Sequence, residues 1–503
     1  MASTGKHAGL PFALSDPDLI QFGNYINGEL VPSVSNKRFD VIDPGTGRSW
    51  ASCPDSIPDD VDQAVATANI AFQAYSKWTP RQRAQALSRW HSLIVGARDD
   101  LAKILVHETG KPLAEAYGEL DYATSFTWWF TGEADRVQGT TFTSAVPGRR
   151  GLLIKQPIGT CAALVPWNFP VALVLRKASA ALAAGCTMVV KTSPETPVTA
   201  VCIARLASKA GFPPGALNVL STSLENTPAV AESLCLHPLV KKVTFTGSTR
   251  VGKIIAGLCA RNLKKTTLEL GGNCPFIVFD DASLDQALSQ LMALKWRHAG
   301  QACVSANRVY VQSGIHDAFV KALVERTLAL KMDHGMEEGC TLGPVTTPRG
   351  LDKAEELFDD AVSKGAKAVL GNGRRASDGG GYFMSPTIMT GLTDGMAMCR
   401  DEVFSPVLGL CRFETEDEVV RRANDTSMGL ASYVFTKNVD RLWRMFERLE
   451  AGMIGLNAGN SSATEAPFGG IKDSGHGKES GKDVAVDEFL ITKIGTLAIE
   501  DHY

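Results

Sequence analysis

The sequence predicts an α/β fold in which helices cover both faces of a parallel β-sheet, and two observations indicate this. Between residues 160 and 272, five short apolar runs alternate with stretches of helical periodicity; the runs read CAALV, TMVVK, ALNVL, VTFTG and TLELGG. Such alternation is typical of consecutive βαβ units. The chain of 503 residues is also long for a single domain, so we expect at least two lobes.

The other elements follow in chain order. Residues 1–20 predict a loose N-terminal arm, and residues 60–130 have mostly helical periodicity, with Asp60 placed to cap the first helix. After the sheet, helical patterns alternate with short strands such as RVYVQ and KAVLG, which predicts a second α/β lobe; the helical patterns cover residues 284–294, 315–331 and 350–364. The glycine-rich segment 371–381 indicates an exposed hairpin loop.

Two β-rich stretches, residues 140–156 and 489–499, fall outside both lobes. Because they come from distant parts of the chain, they suggest a separate small sheet. A sheet of this kind is a candidate contact between subunits.

Composition excludes several classes of protein. Hydrophobic residues make up 44% and charged residues 21%, as in ordinary globular proteins. Lys and Arg total 51 against 54 Asp and Glu, so the net charge of -3 offers no field that would attract nucleic acid. The most apolar stretch, residues 161–190, cannot span a membrane because polar residues and prolines interrupt it; these are Pro166, Asn168, Pro170, Arg176 and Lys177.

The eleven cysteines form no C-x-x-C pair, which excludes a zinc ribbon, a dithiol redox pair and haem attachment. Their odd number, and an N-terminus without a secretory apolar segment, are typical of a reducing compartment. We therefore predict a cytoplasmic protein in which most cysteines are small buried hydrophobes.

Two segments at strand ends are candidates for ligand binding. FTGSTRVGK places Gly247 and Gly252 at the start of a helix, where free backbone N–H groups bind phosphate, although a plain helix start would look the same. Ile254 stands where a P-loop needs a hydroxyl, which disfavours a nucleotide triphosphatase. Lys191 ends a predicted strand, either in the ligand crevice of the sheet or as a solvated surface lysine.

Three further residues have the chemistry of a reactive centre, and each alone is compatible with a structural role. Cys303 lies in the small polar loop GQACVSANR, unlike the other cysteines, which mostly lie in apolar runs. Glu269 ends a strand just before two glycines, and Asn168 in PWNF is an amide donor suited to an oxyanion.

Together these segments resemble the aldehyde dehydrogenase superfamily from about residue 22 to 496. The landmarks are PWNFP, VVK, FTGSTRVG, LELGG, GQAC, EVFSPV and PFGGIKDSGHG. The resemblance implies a Rossmann-like cofactor domain, an α/β catalytic domain and a small β oligomerisation element in a homodimer or homotetramer. It assigns residues 21–138 and 160–270 to the cofactor domain, 271–470 to the catalytic domain, and 139–159 and 485–503 to the oligomerisation element.

The resemblance also implies the chemistry. Cys303 is the nucleophile that attacks an aldehyde, Asn168 and the Cys303 N–H hold the oxyanion, and Glu269 activates the water that hydrolyses the thioester. NAD or NADP accepts the hydride, and no metal is needed. The implied cofactor-binding residues are Trp167, Lys191, Ser193, Glu195, Gly247, Ser248, Gly252, Leu270, Glu402 and Phe404.

Within the superfamily the sequence is most similar to the succinate-semialdehyde dehydrogenases. FTWWFTGEA, KWRHAGQACVSANR and the serines Ser461 and Ser462 carry this likeness. It implies that Arg176, Arg297 and Ser462 bind the distal carboxylate of the substrate, because guanidinium groups pair with carboxylates in a bidentate manner. Arginines that bind acidic side chains or helix ends are the alternative.

Four departures from the subgroup limit the transfer. Ser305 replaces a second cysteine, so we expect no disulfide switch, and Ser405 replaces a glycine, which we expect to be tolerated. Trp128 replaces an acidic residue and predicts a more aromatic aldehyde entrance. Pro194 replaces the acid that binds the ribose, with Glu195 one place late, so the choice between NAD and NADP stays open.

Other functions remain as alternatives. Trp128 favours the same chemistry on an aromatic or other aldehyde of a specialised pathway. A CoA-acylating enzyme is disfavoured because Glu269 is present, and an inactive scaffold is disfavoured by the intact set of Cys303, Glu269 and Asn168.

Overall fold

The computed structural model describes residues 9–376, 380–459 and 462–500. The strands in this part of the chain are β1 (Asn24–Ile26), β2 (Glu29–Val31), β3 (Arg38–Asp43), β4 (Arg48–Pro54), β5 (Thr140–Thr143), β6 (Arg149–Pro157), β7 (Thr160–Leu164), β8 (Thr187–Lys191), β9 (Leu217–Leu220), β10 (Val240–Thr246), β11 (Lys265–Glu269), β12 (Pro275–Val278), β13 (Arg308–Gln312), β14 (Lys367–Leu370), β15 (Thr387–Thr390), β16 (Val407–Phe413), β17 (Met428–Gly429), β18 (Ala431–Phe435), β19 (Met453–Leu456), β20 (Ile471–Lys472), β21 (Gly475–His476) and β22 (Leu490–Ala498).

The α-helices are α1 (Pro58–Tyr75), α2 (Pro80–Gly96), α3 (Arg98–Thr109), α4 (Leu113–Ala134), α5 (Pro170–Ala184), α6 (Val198–Lys209), α7 (Thr227–Leu236), α8 (Thr249–Ala260), α9 (Leu284–Lys295), α10 (His316–Leu328), α11 (Pro348–Ser363), α12 (Ala397–Arg400), α13 (Glu416–Asn424) and α14 (Val439–Arg448). Among the described helices, none has the length and apolar character to cross a membrane.

The first sheet has eight strands in the order β2-β1-β9-β8-β7-β10-β11-β21. Its five central strands are parallel, as the βαβ pattern predicts. The strand order reverses between β7 and β10, because β8 and β9 extend the sheet in one direction and β11 in the other. In such sheets, ligands bind beyond the carboxyl ends of the strands at this point.

The second sheet confirms the predicted second α/β lobe. Its seven strands have the order β14-β15-β16-β13-β12-β18-β19, and all are parallel except β14. The loop between β14 and β15 joins two antiparallel strands, in agreement with the predicted hairpin, although its residues 377–379 lie outside the described part.

The two stray β-rich stretches form one antiparallel sheet, β22-β6-β5, as expected. Apolar side chains on this sheet are exposed; they are Phe142, Leu152, Ile154, Ile491, Ile494 and Leu497. Burial of such a surface is favourable in an assembly.

The N-terminal arm and the first helix differ from expectation. Residues 1–8 lie outside the described part, but residues 9–20 are held on α3, where the Asp100 carboxylate accepts hydrogen bonds from the backbone N–H groups of Ser15 and Asp16, both at 2.8 Å. Helix α1 begins at Pro58, so Asp60 is not the cap. The Asp60 carboxylate instead lies in the first turn and accepts the Ile57 N–H at 2.8 Å.

Helix α5 lies in the core of the first lobe and all of its residues are buried. Its sequence is mostly Ala, Leu and Val, which explains burial on every side. Arg176 and Lys177 are the exceptions, and charged side chains are rarely buried unless they are paired. The burial of Arg176 and Lys177 therefore indicates that a functional site lies near this part of α5.

Candidate active site

A cavity of about 580 Å³ opens beyond the carboxyl ends of β7, β10 and β11. It contains most of the residues that the sequence predicts for the site: Trp167, Asn168, Arg176, Gly247, Ser248, Leu270, Arg297, Cys303, Glu402, Phe404 and Ser462. Residues more than 250 positions apart thus meet in one place. Ser461 lies outside the described residues.

Several predicted cofactor residues lie beside the cavity and do not line it. Lys191 ends β8 and donates from Nζ to Thr227 Oγ1 at 2.9 Å, and burial lowers its pKa to about 8. Ser193 donates to the carboxylate of Glu195, which also pairs with Arg349 at 3.1 Å. Glu195, the acid that stands one place late in the sequence, is therefore present, but its charge is neutralised by Arg349, which lines the cavity.

Gly252 lies in the first turn of α8, and a Cβ at this position would come within 2.3 Å of the Leu270 side chain. This glycine permits the helix to approach the strand end. Its role is close packing at the wall and not direct lining of the cavity.

Trp128 does not line the cavity, and its predicted place at the aldehyde entrance is wrong. Its side chain is on the surface, with the residue 66% exposed, and its ring lies 5.7 Å from that of His91. Tyr122, on the same helix, lines the cavity. Six residues of α-helix rotate the side-chain direction by about 240°, which carries Trp128 to another face.

Cys303 is half-buried in the loop that precedes β13. Burial, and after it the Glu402 carboxylate, raises the pKa of its thiol to about 12. The guanidinium groups of Arg176 and Arg297 act in the opposite direction. The polar loop sequence suggested a site that favours the thiolate, and the structure differs because burial outweighs the two positive charges.

A left-handed turn places the nucleophile loop. His298, Ala299 and Gly300 have φ values of 50°, 52° and 79°, and only the glycine adopts this conformation without strain. Gln301 follows the turn, and its backbone carbonyl accepts a hydrogen bond from Asn168 Nδ2 at 3.0 Å. The strained turn thus lies between Arg297 and Cys303 in the chain and leads into the residue that holds the Asn168 side chain.

Glu269 ends β11 and is buried, but it does not line the cavity with Cys303. Neither carboxylate oxygen has a hydrogen-bond partner among the described residues. Burial, and after it the Glu479 carboxylate, raises the pKa of Glu269 well above its ordinary value, and the positive charge of Lys177 opposes this shift. Its carboxylate therefore has the electrostatics of a proton acceptor.

Sequence analysis did not select Glu479, whose carboxylate acts electrostatically on that of Glu269. Lys177 Nζ contacts the Glu479 carboxylate and donates to Thr246 Oγ1 at 2.7 Å, and both charged side chains are buried. The Arg176–Lys177 pair inside an apolar run was the available signal for the lysine. No local pattern marks Glu479, because the contact joins residues 302 positions apart.

The two predicted substrate arginines have different surroundings. Arg176 is buried, donates to the Tyr122 hydroxyl at 2.7 Å and lies 3.8 Å from the Glu479 carboxylate. Tyr122, which sequence analysis did not select, also contacts Ser462 Oγ. Arg297 has no carboxylate within 4.0 Å in the described part of the chain. Its positive charge is therefore open to an anion in the cavity.

The opposite wall fits a dinucleotide. Ser248 caps α8 by accepting the Val251 N–H, and the exposed start of this helix offers unpaired N–H groups for a diphosphate. Glu402 accepts the Gly272 N–H at 3.2 Å, and burial raises the pKa of Glu402 to about 7. Phe404 packs edge-on against Trp167 at 5.5 Å between ring centroids.

The two serines that depart from the subgroup are both buried. Ser305 is buried within the nucleophile loop, and its hydroxyl has no hydrogen-bond partner among the described residues. Ser405 is fully buried, its hydroxyl has no hydrogen-bond partner among the described residues, and its carbonyl accepts a hydrogen bond from Lys295 Nζ at 3.0 Å.

A group that resembles a metal site lies elsewhere, where the candidate ligand atoms of Asp43, His107 and His334 come within 4.8 Å of one another. His334 Nδ1 accepts the Met336 N–H, so its Nε2 carries the proton that it donates to Asp43 Oδ2 at 3.0 Å. No lone pair remains on that nitrogen for a metal. The group instead joins β3 to the second lobe.

The model of the Aldehyde dehydrogenase family matches residues 30–494. The chain belongs to the aldehyde dehydrogenase family. A relative, the succinate-semialdehyde dehydrogenase [NADP(+)] of Saccharomyces cerevisiae, is 44% identical over 96% of this chain and 97% of its own. The 3-sulfolactaldehyde dehydrogenase of Pseudomonas putida is 43% identical over 95% and 98%.

The crystal structure of succinate-semialdehyde dehydrogenase from Burkholderia pseudomallei superimposes with a TM-score of 0.94, at 42% identity, over 97% of this chain and 100% of that chain. The predicted family and fold class are thus confirmed for this aldehyde dehydrogenase.

Proposed function

We propose that this aldehyde dehydrogenase oxidises an aldehyde with a distal carboxylate, such as succinate semialdehyde, to the acid with NAD or NADP. One observation carries the proposal. Arg297 lines the same cavity as Cys303 and has no carboxylate within 4.0 Å among the described residues. A cationic group left unpaired in a cavity favours an anionic ligand.

The chemistry begins at Cys303. Its thiol gives its proton to solvent, and the resulting thiolate sulfur attacks the carbonyl carbon to form a tetrahedral oxyanion. Asn168 Nδ2 has a second N–H beyond the one donated to Gln301, and this N–H, with the Cys303 backbone N–H, stabilises the oxyanion. When bound, a nicotinamide would supply the hydride acceptor, and the substrate carbon would then be held as a thioester on Cys303.

Hydrolysis requires a base for water. Glu269 takes the proton, the hydroxide adds to the thioester, and the Cys303 thiolate leaves as the acid forms. The raised pKa of Glu269 makes it a stronger base than an exposed carboxylate. The Lys177–Glu479 pair lies behind it and modulates its charge.

The carboxylate end of the substrate is bound by Arg297 and Arg176, with Ser462 and Tyr122 as hydroxyl partners. Tyr122 supports this assignment because it contacts both Ser462 and Arg176. A sulfonate has the same negative charge, so the Pseudomonas putida relative's 3-sulfolactaldehyde belongs to the same chemical class. Trp128 was the reason for an aromatic aldehyde, and its position on the surface removes that support.

In this proposal the enzyme accepts both NAD and NADP. Trp167, Lys191 and Glu195 border the adenosine side, and Arg349 neutralises the carboxylate that would repel a 2′-phosphate. The NADP(+) named for the yeast relative agrees with this.

The proposal also covers the domain boundaries, the oligomeric state and the cellular location of the enzyme. The domain boundaries inferred from the sequence are kept in this proposal, with support from the strands at residues 24–31 and 160–269 of the first sheet, which fall within the two cofactor-domain segments; β21 at residues 475–476 joins the same sheet from outside them. The sheet β22-β6-β5 joins subunits into a homodimer or homotetramer. All eleven cysteines are unpaired, which supports a cytoplasmic location.

Steady-state kinetics test the proposal with purified enzyme and a panel of aldehydes. We expect kcat/KM for succinate semialdehyde to exceed that for butanal, hexanal and benzaldehyde at least about 30-fold, since an unpaired charge discriminates by about 2 kcal/mol. Equal values for the four aldehydes would remove the carboxylate assignment.

A further inference from the structure

A buried ion pair lies in the cavity wall next to the oxyanion residue. Lys111, just before α4, contacts the Glu119 carboxylate on that helix, and their side chains are 1% and 0% exposed. Neither side chain has surface for a substrate. Buried pairs of this kind contribute little to stability compared with apolar residues of the same size, so their geometry is more informative than their energy.

The pair holds the connection between β7 and α5. Lys111 Nζ donates to the Asn168 carbonyl at 2.9 Å and lies 4.3 Å from the centroid of the Phe169 ring. Glu119 Oε1 accepts the N–H groups of Val171 and Ala172 at 2.9 and 3.2 Å. Four residues of the segment 168–172 are thus contacted by the same two side chains.

Helix α5 cannot provide these bonds itself. Its N-cap is Phe169, which has no side-chain acceptor, and the free N–H groups of its first turn need one. Glu119 is that acceptor, supplied by another helix. Lys111 neutralises the carboxylate and reaches the preceding carbonyl.

We propose that Lys111 and Glu119 are positioning residues for the oxyanion donor, and that they act through Asn168. The backbone of Asn168 is fixed by Lys111, and its side chain is fixed by the Gln301 carbonyl, so the remaining amide N–H has one direction. This inference rests on the proposed role of Asn168. Displacement of a catalytic group by about 1 Å costs about 100-fold in rate.

The first test separates positioning from folding. Lys111→Met leaves the Glu119 charge unpaired, whereas the double variant Lys111→Met/Glu119→Gln removes both charges and keeps an amide acceptor for Val171 and Ala172. We expect the single variant to lose Tm and the double variant to regain it, while kcat stays at least about tenfold low in both. Recovery of kcat together with Tm would mean that the pair is only structural, and would overturn the inference. Should Lys111→Met fail to fold, the double variant decides alone.

A matched control is available on the same helix. Glu133 is also buried on α4 and pairs with Arg136 at 2.9 Å, but among the described residues it has no hydrogen bond or ion pair with residues 168–172. Glu133→Gln should leave kcat within about twofold of the parent at pH 7.5. A loss of kcat equal to that of the double variant would show that any buried acid on α4 matters, against the inference.

The second test is a double-mutant cycle with Asn168→Ala. We expect this variant alone to lower kcat about 100-fold or more, and the Lys111→Met/Glu119→Gln pair to add less than about twofold to it. Independent, multiplicative losses would overturn the inference and leave the role of Asn168 intact. If Asn168→Ala retains full kcat, the proposed oxyanion role of Asn168 fails and the inference fails with it, so this outcome is distinguishable from multiplicative losses, which overturn the inference alone.

Discussion

The guanidinium of Arg297 lies over the ring of Phe169, 5.2 Å from its centroid. Stacking on an aromatic face orients a guanidinium without occupying its N–H donors. In the parts of the chain that the structure describes, Arg297 has no acidic side chain within 4.0 Å. The arginine is thus oriented for an anion in the cavity that also contains Cys303.

The first prediction follows from this stacked arginine. Arg297→Ala should lower kcat/KM for succinate semialdehyde at least about 30-fold, because the carboxylate loses a charged partner, and should leave kcat/KM for butanal within about threefold. Steady-state kinetics with both aldehydes measure the difference. Arg326→Ala, which removes an arginine paired with Asp285 away from the cavity, is the control. An equal loss for the two aldehydes would contradict carboxylate binding.

The thiol of Cys303 provides the second prediction. Since burial raises its pKa to about 12, the thiolate fraction of the free enzyme should rise about tenfold per pH unit, and inactivation by iodoacetamide should accelerate without a plateau between pH 7 and 10. Arg176→Ala removes a charge that favours the thiolate, so it should slow alkylation at every pH in this range. A plateau near pH 7 would show that the thiol is already ionised. Cys303→Ala should abolish turnover, and Cys340→Ala should not.

The third prediction concerns the acidic limb of the kcat–pH profile. Glu479→Gln removes a negative neighbour of Glu269, which stabilises the ionised carboxylate, lowers the pKa of Glu269 and moves the limb to lower pH. Lys177→Met removes a positive neighbour, raises that pKa and moves the limb to higher pH. The two variants must therefore shift the limb in opposite directions. Shifts in the same direction would exclude Glu269 as the titrating base.

Much of the fold was predictable because the spacing of apolar residues along the chain indicates which faces of helices and strands are buried. The strands β7 to β11 are short apolar runs separated by stretches of helical periodicity, and this pattern predicts that the strands are parallel. The docking of residues 9–20 onto Asp100 was not predictable, since it depends on backbone hydrogen bonds to a side chain more than 80 residues away.

The site was predictable where a motif carries the chemistry. Asn168 and Cys303 lie in local sequences whose composition differs from their neighbours, and the structure brings both to one cavity. Lys111 and Glu119 have no such signal, because an ordinary helix surface has the same residue types. Trp128 illustrates the opposite error, since a residue next to recognisable motifs can lie on the far face of its helix.

The fourth prediction concerns cofactor choice. Because Arg349 neutralises Glu195, Arg349→Ala should leave an uncompensated carboxylate beside the proposed adenosine site and lower kcat/KM for NADP about tenfold more than for NAD. Glu195→Gln should change the ratio in favour of NADP. Kinetics at saturating aldehyde with each cofactor give the ratio. If both variants shift the ratio in the same direction, Glu195 does not set the preference.

The last prediction concerns the small sheet. Leu152, Ile154, Ile491 and Leu497 share one of its faces, because paired residues of antiparallel strands point to the same side, and each of these four is at least 37% exposed. Ile154→Glu places a charge on that face but directly opposite Lys493, so the cross-strand pair preserves the sheet while burial of the charge opposes assembly. Light scattering coupled to size exclusion should then report a smaller particle at unchanged helix content. Val439→Glu, at an exposed apolar position on α14, is the matched control and should keep the parent mass, whereas a parent mass for Ile154→Glu would place the subunit contact elsewhere.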